Sequence, residues 1–440
     1  MHLIIFCLMA SIGWHVYFLA SVIPFAITIL IIPRQIKFMK KHDWVGFDIH
    51  KEARPAVAES GGLSMILGVA VGICILMAFV PSHLIMFMAV LASIILASVI
   101  GIIDDKLKLS AFKKIASTVI ATVPMVAFYI ATDIIPGTPP VPFLGTLQVT
   151  ILYLPFIPGF LSVMMNAVNM LEGYNGEGSG TAIIVTVALL IAGIINGSME
   201  AILLSLPVLA SLIAFFFYNR YPAKIFPGDI GTLQVGMALG CIAIVGSLEF
   251  VVVIAFIPHF LNAFHVIRSV RGFKESSTIV VKDIEMIEGD MIKASKDPKA
   301  AMSLPRIITA SGPLSEPELV RNIMVLTVVS SSFSVYSAIL QYMTINGTID
   351  DEIWISLLYL AINAVGCIVI FLLFPPLRGL IIIIASIFLA VLGLLILIDR
   401  FVIEIGFFNW LLAGALALIG GGAWYLLSMK YFAHITTRGK

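Results

Sequence analysis

The amino-acid sequence predicts an all-α polytopic membrane protein, and three observations lead to that prediction. The 440 residues are 60% hydrophobic and 12% charged, whereas soluble domains carry about 25% charged residues. The mean hydropathy is +1.09, and the apolar residues fall in runs that reach the roughly 20 residues needed to cross a bilayer. Nearly all basic residues lie in alternate loops between these runs. The bilayer is therefore the expected solvent for most of the chain.

Thirteen apolar segments have the length and composition of membrane-spanning helices. The longest polar stretch, 269–319, separates the ninth segment from the tenth and is expected to form a small loop subdomain. The predicted spans cover residues 10–33, 61–80, 84–103, 115–132, 150–170, 180–197, 200–218, 232–247, 250–267, 322–343, 353–374, 379–398 and 406–429.

The distribution of lysine and arginine predicts how the spans are oriented. Of the 26 basic residues, 25 lie in loops after odd-numbered spans, and only Arg400 lies on the opposite side. The positive-inside rule places those loops and the C-terminus in the cytosol and the N-terminus outside. Two glycosylation sequons, at Asn196 and Asn346, fall in loops predicted to lie outside, which agrees with this orientation.

Composition gives no indication of a disulfide-rich, secreted or nucleic-acid-binding protein. Each of the four cysteines lies alone in an apolar run, so neither a disulfide framework nor a metal-ligand spacing is expected. The first ten residues lack the basic segment of a signal peptide, and we expect no cleavage there. The net charge of +1 gives no indication of a nucleic-acid partner, and none is expected.

An acidic pair ends the third predicted span. Asp104 and Asp105 are adjacent, and a helix C-terminus carries the negative end of the helix dipole, so the two carboxylates favour a nearby cation or proton. Lysines follow at once, among them Lys114. A solvated loop after a span is an equally good interpretation of this motif taken alone.

An asparagine-rich motif ends the fifth predicted span. Asn166 and Asn169 are three residues apart and so share one face of a helix. Amide carbonyl oxygens are hard ligands that suit magnesium, and the glycines near Asn175 let the backbone approach a ligand closely. The alternative is a polar helix end with a glycine-rich stop. Asparagine in a span is costly without partners, which favours a function.

Two further polar segments flank spans on the same predicted side. Asp229 in Phe-Pro-Gly-Asp begins the eighth span, where a helix N-terminus favours a carboxylate, although helix capping alone would explain it. Residues 47–51 and the Glu59-Ser-Gly-Gly segment precede the second span. Four loops thus offer carboxylates, amides and lysines to one membrane face, an inventory that fits magnesium and a diphosphate.

The motifs together resemble the polyprenyl-phosphate hexosamine-1-phosphate transferases. The motifs that carry the resemblance are Ala-Glu-Ser-Gly-Gly at 58–62, Asp104-Asp105, Asn-Ala-Val-Asn-Met-Leu-Glu-Gly-Tyr-Asn-Gly at 166–176 and Phe-Pro-Gly-Asp at 226–229. Their order is most similar to the eukaryotic and archaeal branch, which transfers N-acetylglucosamine-1-phosphate from UDP-GlcNAc to dolichyl phosphate and releases UMP. The resemblance covers about residues 10–345, and it implies a ten-span core with three extra spans in 346–440.

The resemblance implies roles for the phosphate-handling residues. Asn169 and Asp229 would hold Mg²⁺ on the diphosphate, and Lys114 would neutralise phosphate charge. Asp104 and Asp105 would face the acceptor phosphate and the metal as catalytic residues. The lipid phosphate would attack the sugar-side phosphorus, so a site at the cytosolic ends of the spans is expected.

The resemblance also implies a nucleotide pocket. Asn175, Phe226 and the backbone near Ile49 would bind uridine, with Phe226 stacked on the base, and Glu59 would lie nearby. Arg271, at the start of the loop subdomain, is a weaker candidate for recognising the sugar, because the family pattern does not align there. A solvated charged face is an equal alternative for Arg271.

The sequence departs from the family pattern at some positions, and it leaves other functions open. Bacterial cell-wall members carry a histidine-rich loop motif and an aspartate where Asn175 stands here, which disfavours a MurNAc-pentapeptide substrate. Another UDP-hexosamine could be the donor. A secondary transporter would also suit thirteen spans, although transporter sites lie near the bilayer midplane and these acids cluster at one face. The oligomeric state is open, a homodimer included.

Overall fold

The computed structural model describes residues 12–132, 139–146, 150–273, 279, 281–402 and 407–437. Helices make up most of these residues. The helices are α1 Trp14–Lys41, α2 Gly62–Phe79, α3 Leu84–Leu107, α4 Ala111–Ala121, α5 Val123–Thr132, α6 Thr150–Leu171, α7 Glu177–Asn196, α8 Met199–Asn219, α9 Gly228–Val245, α10 Glu249–Ala255, α11 Ile257–Ser269, α12 Leu304–Thr309, α13 Glu316–Asn346, α14 Ile349–Leu373, α15 Arg378–Val402 and α16 Phe407–Thr437.

The prediction of an all-α polytopic membrane protein is confirmed. Within the described residues, twelve helical segments are long and apolar enough to cross a membrane, or thirteen if the bent pair α10–α11 counts as one span. α4 and α5 together form one of the twelve. The orientation of the spans and a division of the chain near residue 345 stay predictions.

Two predicted spans are interrupted by proline. The predicted span 250–267 consists of α10 and α11, which are bent by 66° at their junction. Pro258 occupies the first turn of α11, where its missing N–H removes a helical hydrogen bond to the preceding turn. Similarly, α4 and α5 meet at Thr122, with Pro124 in the first turn of α5. Hydropathy located both spans but not their breaks, because it measures only apolar length.

Three small antiparallel sheets accompany the helices in the described residues. The long polar segment 269–319 contains an antiparallel hairpin of residues 284–287 and 291–294. Residues 274–278 and 280 of that segment lie outside the described residues. The strands are β1 Val45–Phe47 and β2 Ala56–Ala58, β3 Pro140–Val141 and β4 Gly145–Thr146, and β5 Ile284–Ile287, β6 Met291–Ala294 and β7 Leu314–Ser315.

Helix α9 lies at the centre of the fold, and its first turn carries Asp229. It is buried along almost its whole length and packs against α2, α3 and α6. Glycines permit this close packing: a Cβ on Gly101 would lie 2.3 Å from Ile230 Cα, and one on Gly62 would lie 2.4 Å from Gly231 N. The ends of α2, α3 and α9 are thereby brought together at backbone contact distance.

A methyl group on Gly101 should force α3 away from α9. We expect Gly101→Ala to destabilise the protein by about 1–3 kcal/mol, because the clash is with backbone atoms that cannot rotate away. Thermal unfolding in detergent measures this. The matched control is Gly159→Ala in α6, where nothing lies within 4 Å of the added Cβ and helix propensity alone applies. Equal melting temperatures for the two variants would contradict the packing account.

Candidate active site

Lys114 joins the ends of three helices into one charged cluster. Its Nζ lies 2.6 Å from Asp104 Oδ2 in the last turn of α3 and 2.9 Å from Asp229 Oδ2 in the first turn of α9. Lys114 itself lies in the first turns of α4, after the connection that follows α3. Asp104 and Lys114 are buried, whereas the Asp229 side chain is 27% exposed. The cluster therefore opens at Asp229.

Asp105 connects α3 to the N-terminus of α9. Its Oδ1 accepts a hydrogen bond from the backbone N–H of Asp229 at 2.9 Å, and its Oδ2 accepts one from Ser60 Oγ at 3.3 Å. A helix N-terminus presents unpaired N–H groups that favour a carboxylate. Asp105 thus fixes the position of Asp229. Asp104 also binds a backbone N–H group: its Oδ1 accepts a hydrogen bond from Leu109, just after the end of α3.

Asn169 brings the end of α6 to the same cluster. Its Nδ2 donates to Asp229 Oδ1 at 2.6 Å and to Thr232 Oγ1 at 2.8 Å. Both amide hydrogens are used in these two bonds, so the carbonyl oxygen is the atom left to act as a ligand. Asn166, on the same face, is instead bound to Thr118 and to Ser162 of its own helix. Of the two predicted asparagines, only Asn169 contacts the acids.

The segment before α2 lies along the segment before α9. Phe226 N donates to Ala58 O at 2.8 Å, and Gly61 N donates to Phe226 O at 2.8 Å. Glu59 and Phe226 then flank one position, since a Cβ on Gly46 would lie 2.7 Å from Glu59 Oε1 and 3.3 Å from Phe226 Cδ2. Burial, with the nearby Asp229 charge, raises the pKa of Glu59. These contacts place Glu59 and Phe226 beside the charged cluster.

A second polar cluster surrounds Asn175. Its Nδ2 donates to Asp48 Oδ2 at 2.9 Å, and its backbone N–H donates to Glu316 Oε1 at 2.7 Å. Lys51 hydrogen-bonds to Asp48 and lies 3.7 Å from Glu316 Oε2. His50 stacks on Tyr174 with ring centroids 4.3 Å apart. Lys51 also lies over the Tyr221 ring, in the connection before α9. The cluster thus joins four segments of the chain: residues 48–51, residues 172–176, the first turn of α13 and the connection before α9.

Electrostatics differ between the acids of this second cluster. Burial opposes ionisation of Asp48, but hydrogen bonds from Lys51 and Asn175 outweigh it and hold the pKa of Asp48 below its usual range. Burial lowers the pKa of His50, so its imidazole is favoured as the neutral form. An ionised Asp48 can act only as a hydrogen-bond acceptor.

Both clusters contain groups that could hold a metal ion. In the second, ligand atoms of Asp48, His50 and Glu316 lie within 4.8 Å of one another, but the Lys51 ammonium already lies between the two carboxylates. The first cluster has three carboxylates against one lysine and the available carbonyl oxygen of Asn169. That set of hard oxygen donors, with a net negative charge, fits Mg²⁺ better.

The remaining predicted residues are less closely connected. Ile49 is 58% exposed and lies next to Asp48. Arg271 is exposed just after the end of α11, with a positive φ of 58°, and its backbone N–H donates to Arg268 O in the same turn. The long segment is instead organised by the fully buried Arg306, whose guanidinium donates to the carbonyls of Ser295, Asp297 and Ala300.

Sequence reasoning missed Glu316, Thr232 and the role of Asp48. Glu316 follows the capping-box residue Ser315 at the start of α13, and that pattern predicts only a helix start. Thr232 lies three residues beyond the Phe-Pro-Gly-Asp motif, where a hydroxyl residue in an apolar helix gives no signal of its own. A carboxylate directly before a span, on the predicted cytosolic side, was the available signal for Glu316.

The chain is similar to several proteins that are named as transferases. Residues 87–247 match the family model described as glycosyl transferase family 4. A Saccharolobus solfataricus protein, provisionally named UDP-N-acetylglucosamine–dolichyl-phosphate N-acetylglucosaminephosphotransferase, is 35% identical over 51% of this chain and 69% of its own length. A Sulfolobus acidocaldarius protein with the same provisional name is 29% identical over 56% of this chain and 75% of its own. A Clostridium botulinum phospho-N-acetylmuramoyl-pentapeptide-transferase is 31% identical over 44% of this chain and 62% of its own.

Glu172, in the turn between α6 and α7, should make the stability of the fold depend on pH. Burial raises its pKa to about 8 from an ordinary value of 4.5. Between these two values the folded protein keeps a proton that the unfolded chain releases. Stability from this group is therefore complete below about pH 4.5 and is lost as the pH rises towards 8. The loss is at most about 1.4 kcal/mol per pH unit.

We expect Glu172→Gln to melt at a temperature that depends less on pH between 5 and 8 than that of the unmodified protein. Melting curves across this range, with the exposed Glu288→Gln as control, measure the difference. Parallel pH profiles for Glu172→Gln and the unmodified protein would show that Glu172 ionises normally.

Proposed function

Because the chain belongs to glycosyl transferase family 4, we propose that it transfers N-acetylglucosamine-1-phosphate from UDP-GlcNAc to dolichyl or polyprenyl phosphate and releases UMP. The single observation that carries the proposal is the meeting of Asp104, Asp105, Lys114, Asn169 and Asp229 at the ends of four helices. The relatives named for this reaction support the choice of donor and acceptor.

The charged cluster suits a reaction between two anions. The acceptor phosphate and the donor diphosphate repel each other, so positioning and charge neutralisation should supply most of the acceleration. Lys114 supplies a fixed positive charge between Asp104 and Asp229. Asn169 and Asp229 would hold Mg²⁺, which when bound neutralises diphosphate charge.

In the proposed reaction an oxygen of the lipid phosphate attacks the phosphorus attached to the sugar. A new P–O bond forms there, the P–O bond to the bridging oxygen breaks, and UMP leaves with that oxygen. Asp105 would act by fixing the N-terminus of α9, because it already accepts the Asp229 N–H. Asp104, paired with Lys114, would keep the lysine aimed at the phosphates.

The position of the cluster supports a membrane lipid as acceptor. Its acids lie at the ends of apolar helices rather than in their middle, where a lipid headgroup meets water. The same observation disfavours a secondary transporter, whose substrate site lies near the midplane. The basic-residue count supports a cytosolic site, which the water-soluble nucleotide can reach.

We assign the nucleotide to the surface between the two clusters. Phe226 is partly exposed beside Glu59 and would stack on the uracil, while Asn175 and the backbone near Ile49 would contact its edge. Arg271 and the loop organised by Arg306 are the candidates for recognising the sugar.

We expect Asp229→Asn to reduce UMP release from UDP-GlcNAc at least 100-fold, because it removes the carboxylate shared by Lys114 and Asn169. The assay uses detergent-purified protein, dolichyl phosphate and Mg²⁺, with UMP and the lipid product measured by mass spectrometry. Asp43→Asn, an exposed residue in the loop after α1, is the matched control. Turnover that Asp229→Asn or chelation of Mg²⁺ leaves unchanged would refute this assignment.

The same assay tests the donor. With UDP-GlcNAc, UDP-GalNAc and UDP-glucose supplied at equal concentration, we expect the GlcNAc-1-phosphate lipid to dominate. Dominance of another sugar would keep the reaction and replace the substrate. No lipid product with any UDP-sugar would contradict the proposed function.

A further inference from the structure

Asn175 is held on two sides by buried carboxylates. Its side-chain nitrogen donates to Asp48 and its backbone nitrogen donates to Glu316. Asp48, Asn175 and Glu316 are each 3% exposed. The contacts cross large sequence separations, since Asp48 precedes Asn175 by 127 residues and Glu316 follows it by 141. The arrangement is thus a product of the tertiary fold rather than of a local turn.

The carboxylate of Asp48 decides which way the Asn175 amide points. A carboxylate only accepts hydrogen bonds, whereas an amide has an NH₂ group at one end and a carbonyl oxygen at the other. Turning the amide over would place its oxygen against Asp48, with two acceptors in contact in a buried site. A buried acceptor that faces another acceptor loses its hydrogen bond and is strongly disfavoured. Asn175 is therefore fixed with its carbonyl oxygen facing away from Asp48.

Lys51 keeps Asp48 in the acceptor state. Its ammonium hydrogen-bonds to Asp48, lies 3.7 Å from Glu316 Oε2 and is 4.6 Å from the centre of the Tyr221 ring. Burial opposes ionisation of Asp48, but the hydrogen bond and the charge of Lys51 favour its ionised form and help to lower its pKa. A protonated Asp48 would carry both an O–H donor and an acceptor oxygen, so it could pair with either end of the amide and would no longer select one orientation.

We propose that Asp48 is a positioning residue that makes the protein prefer uracil over cytosine by fixing the orientation of Asn175. The inference rests on the proposed function, in which Asn175 contacts the base of the donor nucleotide. A carbonyl oxygen accepts from the N3–H of uracil. Cytosine presents an unprotonated N3 at that position, so two acceptors would face each other. The orientation of the Asn175 amide would therefore determine that uracil is preferred over cytosine.

Binding of UMP and CMP to the full-length protein in detergent tests the role of Asp48. The unmodified protein should bind UMP more tightly than CMP, and Asp48→Asn should reduce that ratio about tenfold, because an amide at position 48 pairs with either orientation of Asn175. A purely structural role would weaken both nucleotides and leave the ratio unchanged. The exposed Asp43→Asn, in the same loop, should preserve the ratio.

An exchange of the two groups provides a rescue. Asn175→Asp alone places two carboxylates together and should weaken both nucleotides. The double variant D48N/N175D restores one amide against one carboxylate and leaves an acceptor oxygen towards the base, so it should recover the preference for UMP. Recovery by D48N/N175D supports the inference, and a ratio that stays low in it overturns the inference.

Two results separate this inference from the function on which it rests. If the unmodified protein prefers UMP and Asp48→Asn retains the full preference, the positioning role is wrong while the proposed donor stands. If the unmodified protein shows no preference for UMP, the uridine pocket is wrong, and the inference falls with it.

Discussion

The arrangement of this site depends on the ion pairs of one buried ammonium group. Lys114 lies between Asp104 and Asp229, which come from the opposite ends of two different helices. When ionised, Asp104, Asp105 and Asp229 would repel one another at the edge of a low-dielectric membrane, and a nearby cation offsets that repulsion. The glycine contacts between α3 and α9 set the backbone distance, and Lys114 makes that distance electrostatically tolerable.

The second cluster uses the same chemistry as the first. Lys51 compensates Asp48 and Glu316 as Lys114 compensates Asp104 and Asp229. In both clusters an asparagine donates one amide hydrogen to a carboxylate and keeps a carbonyl oxygen available. In the proposed function, that oxygen of Asn169 faces a metal ion and that of Asn175 faces a base. Pairing of an amide with an acid thus converts a flexible polar side chain into an oriented acceptor.

Sequence reasoning selected many residues of this candidate site because they lie next to membrane spans. Hydropathy located the spans, and Asp104, Asn169 and Asp229 were conspicuous as polar residues at their ends. The bend before Pro258 was missed, because hydropathy reports how long an apolar segment is and not the direction of its helix axis. The contact of Lys51 with Glu316 joins residues far apart in the chain, and their loop context gave no sign of burial. The orientation of the Asn175 amide is a property of packing that no motif specifies.

Electron paramagnetic resonance of Mn²⁺, used as a stand-in for Mg²⁺, tests the central claim most directly. With UDP present, the full-length protein should bind one ion whose spectrum shows coupling to phosphorus, and Asn169→Ala should weaken that binding at least tenfold. An ion that binds equally well in Asn169→Ala, or that shows no phosphorus coupling with UDP, would contradict the assignment of the first cluster as the centre of phosphate transfer.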